Sequence, residues 1–151
     1  MPTALRSAVS QDFDYCRRLY FAEMTWRIEA FDLDRAAQAV SFEQQWELTQ
    51  VRIITLDGAD VGWLQSFTED DALFVAQLFV EGPFQRRGIG TEVMKRVIRE
   101  AARINQAVRL NVLRINPAVR LYERLGFQIT LEDDRKFYMN RDPDMATRLL
   151  N

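Results

Sequence analysis

The sequence predicts an α/β fold, a mixed central sheet flanked by helices. Three observations predict it. Residues 72–80 form a nearly unbroken apolar run, as in a strand covered on both faces. Blocks with strand character and blocks with helical spacing follow one another as β, α, α, β, β, β, α, β, α, β, β, an order that sandwiches a sheet between helices. The chain has 151 residues, 48% of them hydrophobic, which is one domain's worth of core over 1–151.

Each element has a local reason. Residues 4–9 read as a short strand. Ser10 then reads as an N-cap for a helix carrying Phe13, Cys16, Leu19, Tyr20, Ile28 and Phe31 at helical spacing, with Glu23 and Arg27 interrupting the stripe. A second helix is expected from about Asp34 to Leu48. Residues 51–56 and 61–67 flank Asp57-Gly58-Ala59-Asp60, the turn chemistry of a hairpin. Glu69-Asp70-Asp71 is an acidic turn before the central run, which ends at Gly82-Pro83. From Gly88, a third helix places Ile89, Val93, Val97, Ala101 and Ile104 on one face. Residues 108–112 read as a strand. Asn116-Pro117 opens a short helix that Gly126 closes, and residues 127–131 and 137–140 read as a closing pair of strands.

Two scarcities narrow the chemistry. The chain has no histidine, which excludes Ser-His and Cys-His triads, histidine metal ligands and a histidine base. Its one cysteine, Cys16, excludes an internal disulfide and a cysteine-cluster metal site, and reads as a buried small hydrophobe; no metal is expected. No apolar run approaches the roughly 20 residues of a membrane span, and Met1-Pro2-Thr3-Ala4-Leu5-Arg6 lacks the apolar core of a signal peptide. A cytoplasmic protein with no membrane partner is the expectation.

The formal charge of −2 hides an asymmetry. Residues 84–124 hold ten Arg and Lys against three Glu, a surplus of seven positive charges, while the remainder carries a surplus of nine negative ones. A basic segment in an acidic chain suggests a polyanion held at one place and a cation welcomed elsewhere. Phe84 and Tyr122 are the only aromatics of 84–124, too few for a base-stacking platform, so nucleic acid is disfavoured as the partner.

The most informative stretch is Val80-Glu81-Gly82-Pro83-Phe84-Gln85-Arg86-Arg87-Gly88-Ile89-Gly90-Thr91. A central strand runs through a glycine-bearing loop directly into a helix, whose first turn leaves amide N–H groups unpaired beneath the positive end of its dipole. Gly88 and Gly90 let an anion approach the backbone, and Arg86 and Arg87 add charge, so the stretch reads as a pyrophosphate cradle. It is not a Walker loop, because Gly90 is followed by Thr91-Glu92 rather than Lys-Ser/Thr. It is not a Rossmann turn, because Val93 stands where a third glycine belongs and residues 108–112 contain no acid.

Gln85-Arg86-Arg87-Gly88-Ile89-Gly90 resembles the Gln/Arg-x-x-Gly-x-Gly/Ala signature of the GNAT superfamily of N-acetyltransferases. Asn116-Pro117-Ala118-Val119-Arg120-Leu121-Tyr122-Glu123-Arg124-Leu125-Gly126-Phe127 is similar to that family's Asn…Leu-Tyr-Glu-Lys-x-Gly-Phe segment, with Asn116 and Tyr122 one residue closer than is common there. The resemblance covers nearly the whole chain and is strongest over 73–127. It implies a GNAT-like sheet whose strands splay at the cofactor site, acetyl-CoA as cosubstrate, and a primary amine as acceptor. It also implies the pyrophosphate on the loop at Gln85, Arg86, Arg87, Gly88, Ile89, Gly90 and Thr91, and the pantetheine arm along Leu78, Phe79 and Val80. Tyr122 matches the family's acid for the departing thiolate and Asn116 a cofactor contact. An N-cap role for Asn116 stands beside that one. A homodimer is common in the family.

With no credible covalent nucleophile in the sequence, direct attack of the amine in a ternary complex is expected, and the oxyanion it forms needs a donor, the backbone N–H around Phe79 or Val80. The acceptor is expected to be a small molecule, with a protein or peptide amine as the alternative; an acyl-CoA-binding module without turnover is a further alternative. The base is open among Glu23, Glu69, Asp70, Asp71 and Glu81, or a water relay held by Asn111, Gln77 or backbone carbonyls, the relay being the default. Trp26, Trp46 and Trp63 read as core residues or as liners of an acceptor pocket.

Overall fold

All eleven expected elements are present in the computed structural model, which describes residues 2–143. They are β1 (Thr3–Ser7), α1 (Phe13–Ala30), α2 (Arg35–Gln45), β2 (Val51–Leu56), β3 (Ala59–Glu69), β4 (Ala72–Val80), α3 (Ile89–Arg103), β5 (Ala107–Leu113), α4 (Ala118–Arg124), β6 (Gln128–Glu132) and β7 (Lys136–Arg141). The strands are hydrogen-bonded in the order β1-β2-β3-β4-β5-β7-β6. The β4–β5 pair is parallel, and β1–β2, β2–β3, β5–β7 and β6–β7 are antiparallel. Packing divides the chain into two compact units, Met1–Gln65 with Leu78–Arg87, and Ser66–Gln77 with Gly88 onward.

In the first unit, α1 and α2 bury Cys16, Leu19, Tyr20, Met24 and Phe42 with Val51, Ile53 and Trp63 of the strands. Aromatic rings dominate this core. Trp63 meets Phe42 at 6.0 Å, Trp46 at 5.9 Å and Phe79 at 5.3 Å between centroids, spacings at which ring edges and faces attract. Trp46 and Trp63 are therefore core residues, whereas Trp26 is exposed. The turn Asp57-Gly58 has φ of 51° and 83°, the paired left-handed conformation of a two-residue hairpin.

The entry to α1 differs from the expectation. Ser10 is not its N-cap: Ser10–Asp12 form a 3-10 turn, and the carboxylate of Asp12 accepts the Val9 N–H at 2.8 Å. Asp12 also receives both guanidinium arms of Arg6 at 2.9 Å, and Arg6 reaches Asp60 at 3.1 Å. A carboxylate takes two charged donors and an amide at once, where a serine hydroxyl offers one weaker acceptor, and the stronger set fixes the chain. The second helix ends at Gln45, earlier than expected, because Leu48–Gln50 forms a separate 3-10 turn.

In the second unit, α3 buries Ile89, Val93, Met94, Val97, Ile98, Ala101 and Ala102 along one stripe, and β5 buries Val108, Leu110 and Val112. Ile104, expected on that stripe, is exposed past the helix end. Gly126 closes α4 at φ 92°, a left-handed position that favours glycine.

Candidate functional site

The central strand sets the site. The parallel ladder between β4 and β5 covers Ala72–Val75 against Ala107–Leu110 and stops there, although β4 continues to Val80. At the far end of β4 the Glu81 N–H donates to the Val61 carbonyl at 2.8 Å, so Glu81 still faces β3. Gly62 is what lets β4 come so close. A Cβ at residue 62 would press against the Phe79 carbonyl oxygen and lie 3.1 Å from the Val80 Cα. Phe79 and Glu81 thus direct backbone groups toward β3. Strand alternation then turns the N–H groups of Leu78 and Val80 to the other edge. Sequence reasoning passed over Gly62, and the signal was available: a lone glycine inside a strand pattern marks a bulge or a close backbone approach.

Gln85 ties the following turn to the strand. Its side-chain amide donates to the Val80 carbonyl at 2.8 Å and, in a short contact, to the carboxylate of Glu23. The Tyr15 hydroxyl donates to Glu81 at 2.8 Å, and burial, reinforced by that pairing, holds the phenol well above its ordinary pKa. Two of the five carboxylates considered as bases, Glu23 and Glu81, therefore stand at the Val80 end of β4. Glu69, Asp70 and Asp71 are exposed at its start, where Asp70 and Asp71 form the hairpin turn at φ 51° and 60°. Asn111 is exposed on β5, and Gln77 is half-buried on β4.

Arg86 and Arg87 are exposed, with the Arg87 guanidinium 5.5 Å from the Phe84 ring centre. Arg86 takes a left-handed conformation at φ 63° and Gly88 another at φ 80°. In α3, Glu92 N–H closes the first helical bond onto the Gly88 carbonyl at 2.9 Å. The N–H groups of Ile89, Gly90 and Thr91 precede that bond and have no acceptor among the described residues. Ile89 buries its side chain, so only its backbone is available. Gly90 has an ordinary φ, and a Cβ there would meet nothing within 4 Å. Neither backbone strain nor packing requires glycine at 90.

Asn116 and Tyr122 share α4. The Asn116 side-chain oxygen accepts the Ala118 N–H at 2.9 Å, which is the capping role. The Tyr122 ring lies 5.7 Å from that of Phe127, and its hydroxyl has no protein partner among the described residues. Burial raises its pKa, so the phenol keeps its proton at neutral pH. Cys16 is fully buried, its thiol pushed up to about 12 by burial, as an inert core residue requires. Among the described residues no group of three or more acids or cysteines is placed to hold a metal ion, and no helix is long and apolar enough to cross a membrane.

The family described as "Acetyltransferase (GNAT) domain" matches residues 47–129, more than half of the chain. The fold is similar to that of Ard1 from Thermoplasma volcanium at 20% identity, with 95% of this chain and 99% of that one covered and a TM-score of 0.71. It is similar to the PaiA N-acetyltransferase from Thermoplasma acidophilum, solved with coenzyme A, at 15% identity, with coverages of 94% and 99% and a TM-score of 0.66. The ribosomal-protein-S18-alanine N-acetyltransferase from Escherichia coli is similar at 18% identity, with coverages of 95% and 96% and a TM-score of 0.66. No protein of curated function matches the sequence.

Proposed function

The chain belongs to the GNAT family of acetyltransferases, and on that premise we propose that it moves an acetyl group from acetyl-CoA to the primary amine of a small molecule by direct attack. The observation that carries the reading is the start of α3, where three unpaired amides, at Ile89, Gly90 and Thr91, follow two exposed arginines in the chain. Gly90 stands there without a packing reason. The positive φ of Arg86 costs stability, and a helix start with unpaired donors favours an anion.

Each residue has a role in this reading. The amides of residues 88–91, with Arg86 and Arg87, hold the pyrophosphate of CoA. Gln85 fixes the turn by its bond to the Val80 carbonyl. Leu78 and Val80 offer N–H groups to the pantetheine arm and the thioester as an added strand would use them, with Phe79 holding β4 to β3. Of the two oxyanion donors considered, Val80 N–H is the one on the open edge. Tyr122 gives its proton to the departing thiolate. Asn116 caps α4 and keeps its amide nitrogen for the cofactor.

An amine with a pKa near 10.4 is mostly charged at pH 7 and must lose a proton before it attacks. A water relay carries that proton, and Glu23 is where it ends: its carboxylate already sits against Gln85 beside Val80, whereas Glu81 is engaged by Tyr15. With the Cys16 thiol buried and inert, direct transfer to a free small amine suits the chain better than transfer through a cysteine.

The test is mass spectrometry of the purified protein with acetyl-CoA and pooled polyamines, amino acids, aminoglycosides and short peptides. The expected result is a small amine heavier by one acetyl group with matching CoA release. Acetylation of peptides alone would overturn the small-molecule assignment, and acetyl-CoA binding without any product would overturn the enzyme.

A further inference from the structure

A groove of about 650 Å³ runs between α1 and α2, lined by Arg17, Arg18, Phe21, Arg35 and three alanines, Ala22, Ala36 and Ala39. We propose that it is a binding site for a small polyanion carrying two or more carboxylate or phosphate groups. Residues 1–65 contain six basic side chains, all arginine, and ten acids. Three of those six arginines line this groove and none of the ten acids does. Gathering like charges on an acidic background is unfavourable unless a counter-charge joins them. No ion pair among the described residues engages any of the three.

The arginines are also positioned. The Arg17 guanidinium stands 5.1 Å from the centre of the Phe21 ring and that of Arg35 4.9 Å from it, so one ring steadies both. Arg35 is the first residue of α2, where the helix dipole disfavours a cation and favours an anion. Asp34 next to it is already engaged, accepting the Ala36 N–H at 3.0 Å. Three alanines keep the groove open for a ligand, and its volume suits a small molecule. Planar guanidinium forks grip carboxylate and phosphate oxygens in pairs, which sets the ligand class.

The groove lies apart from the transfer chemistry. Phe21 and Glu23 are two residues apart on α1, about 200° around the helix, so the face carrying Arg17, Arg18 and Phe21 is turned away from Glu23 and Gln85.

The test uses full-length protein saturated with acetyl-CoA, titrated calorimetrically with citrate and with tripolyphosphate at low salt. Saturable binding of at least one probe is expected, weakened at least tenfold in Arg17→Gln/Arg35→Gln and unchanged in Arg124→Gln. Arg17→Lys/Arg35→Lys, which keeps the charge and loses the fork, should bind with intermediate affinity and covers the case in which the glutamine variant fails to fold. Preference for citrate or for tripolyphosphate assigns carboxylate or phosphate chemistry. Absence of saturable binding of both probes, or equal affinity in the wild type and both double variants, would overturn the proposal. Binding of tripolyphosphate that only Arg86→Gln weakens would locate it at the loop and overturn the groove as well.

Discussion

Gly90→Ala and Gly90→Pro together separate a ligand's demand from the fold's demand. Gly90 is the second residue of α3, has an ordinary φ, and would place its new methyl in open space. Alanine is favoured over glycine within a helix by about 0.5–1 kcal/mol, and the first turn takes the lower part of that range. For a chain of this length such a gain raises the melting temperature by about 1–3 °C. The family signature admits alanine at this position, so Gly90→Ala should keep its acetyl-CoA affinity. Proline is tolerated in the first helical turn and removes the Gly90 N–H itself; loss of one hydrogen bond to a charged group is worth about 1.5–3 kcal/mol, so Gly90→Pro should weaken acetyl-CoA about ten- to a hundredfold. Thermal unfolding without ligand and calorimetric titration with acetyl-CoA measure stability and affinity in both variants. An unchanged Kd in Gly90→Pro would refute the placement of the phosphate on these amides. Lower stability in Gly90→Ala would mean that residue 90 serves packing after all.

Three further outcomes follow from the same geometry. Tyr122→Phe removes a hydroxyl with no protein partner among the described residues, so unfolding should stay within about 0.5 kcal/mol of the wild type and acetyl-CoA affinity should hold, while turnover falls about 10²–10⁴-fold. Because burial raises the Tyr122 pKa, the wild-type rate should show no loss from its ionisation below pH 10; a falling limb before that would contradict the acid role. Gly62→Ala must push back the Phe79 carbonyl and should lower stability by about 1–3 kcal/mol, read from the urea midpoint, with acetyl-CoA affinity falling as β4 shifts. Arg6 holds the Asp12 carboxyl below its ordinary range, so its contribution is present above the unfolded value near 3.8 and is lost as the pH falls through the folded one. Denaturation in acid should show that loss, and Asp12→Asn should be less stable at pH 7 and flatter below pH 4.

What the sequence disclosed and what it hid divide along one physical line. Local signals were readable because one or two residues decide them: Asp57-Gly58 made its turn at positive φ, Asn116 capped α4, and Gly126 closed it. Helical spacing likewise placed the buried stripe of α3 from Ile89 to Ala101. The entry to α1 was not readable, because Asp12 outcompetes Ser10 only when Arg6 of β1 is brought to it, and Arg6 is itself held by Asp60 of β3 through the pairing of β1, β2 and β3. The proposed site shows the same division. Gln85 to Thr91 could be read as a cradle from composition alone, since glycines, arginines and a helix start are neighbours in the chain. Whether Val80 or Phe79 turns its N–H to the open edge depends on which of them faces β3, and that is fixed by Gly62, some twenty residues earlier. The carboxylates divide in the same way, since Glu23 reaches Val80 only through the side chain of Gln85. The proposed anion cradle is therefore spelled locally, the proposed proton path is assembled over distance, and residues of the second kind are the ones mutagenesis should reach for.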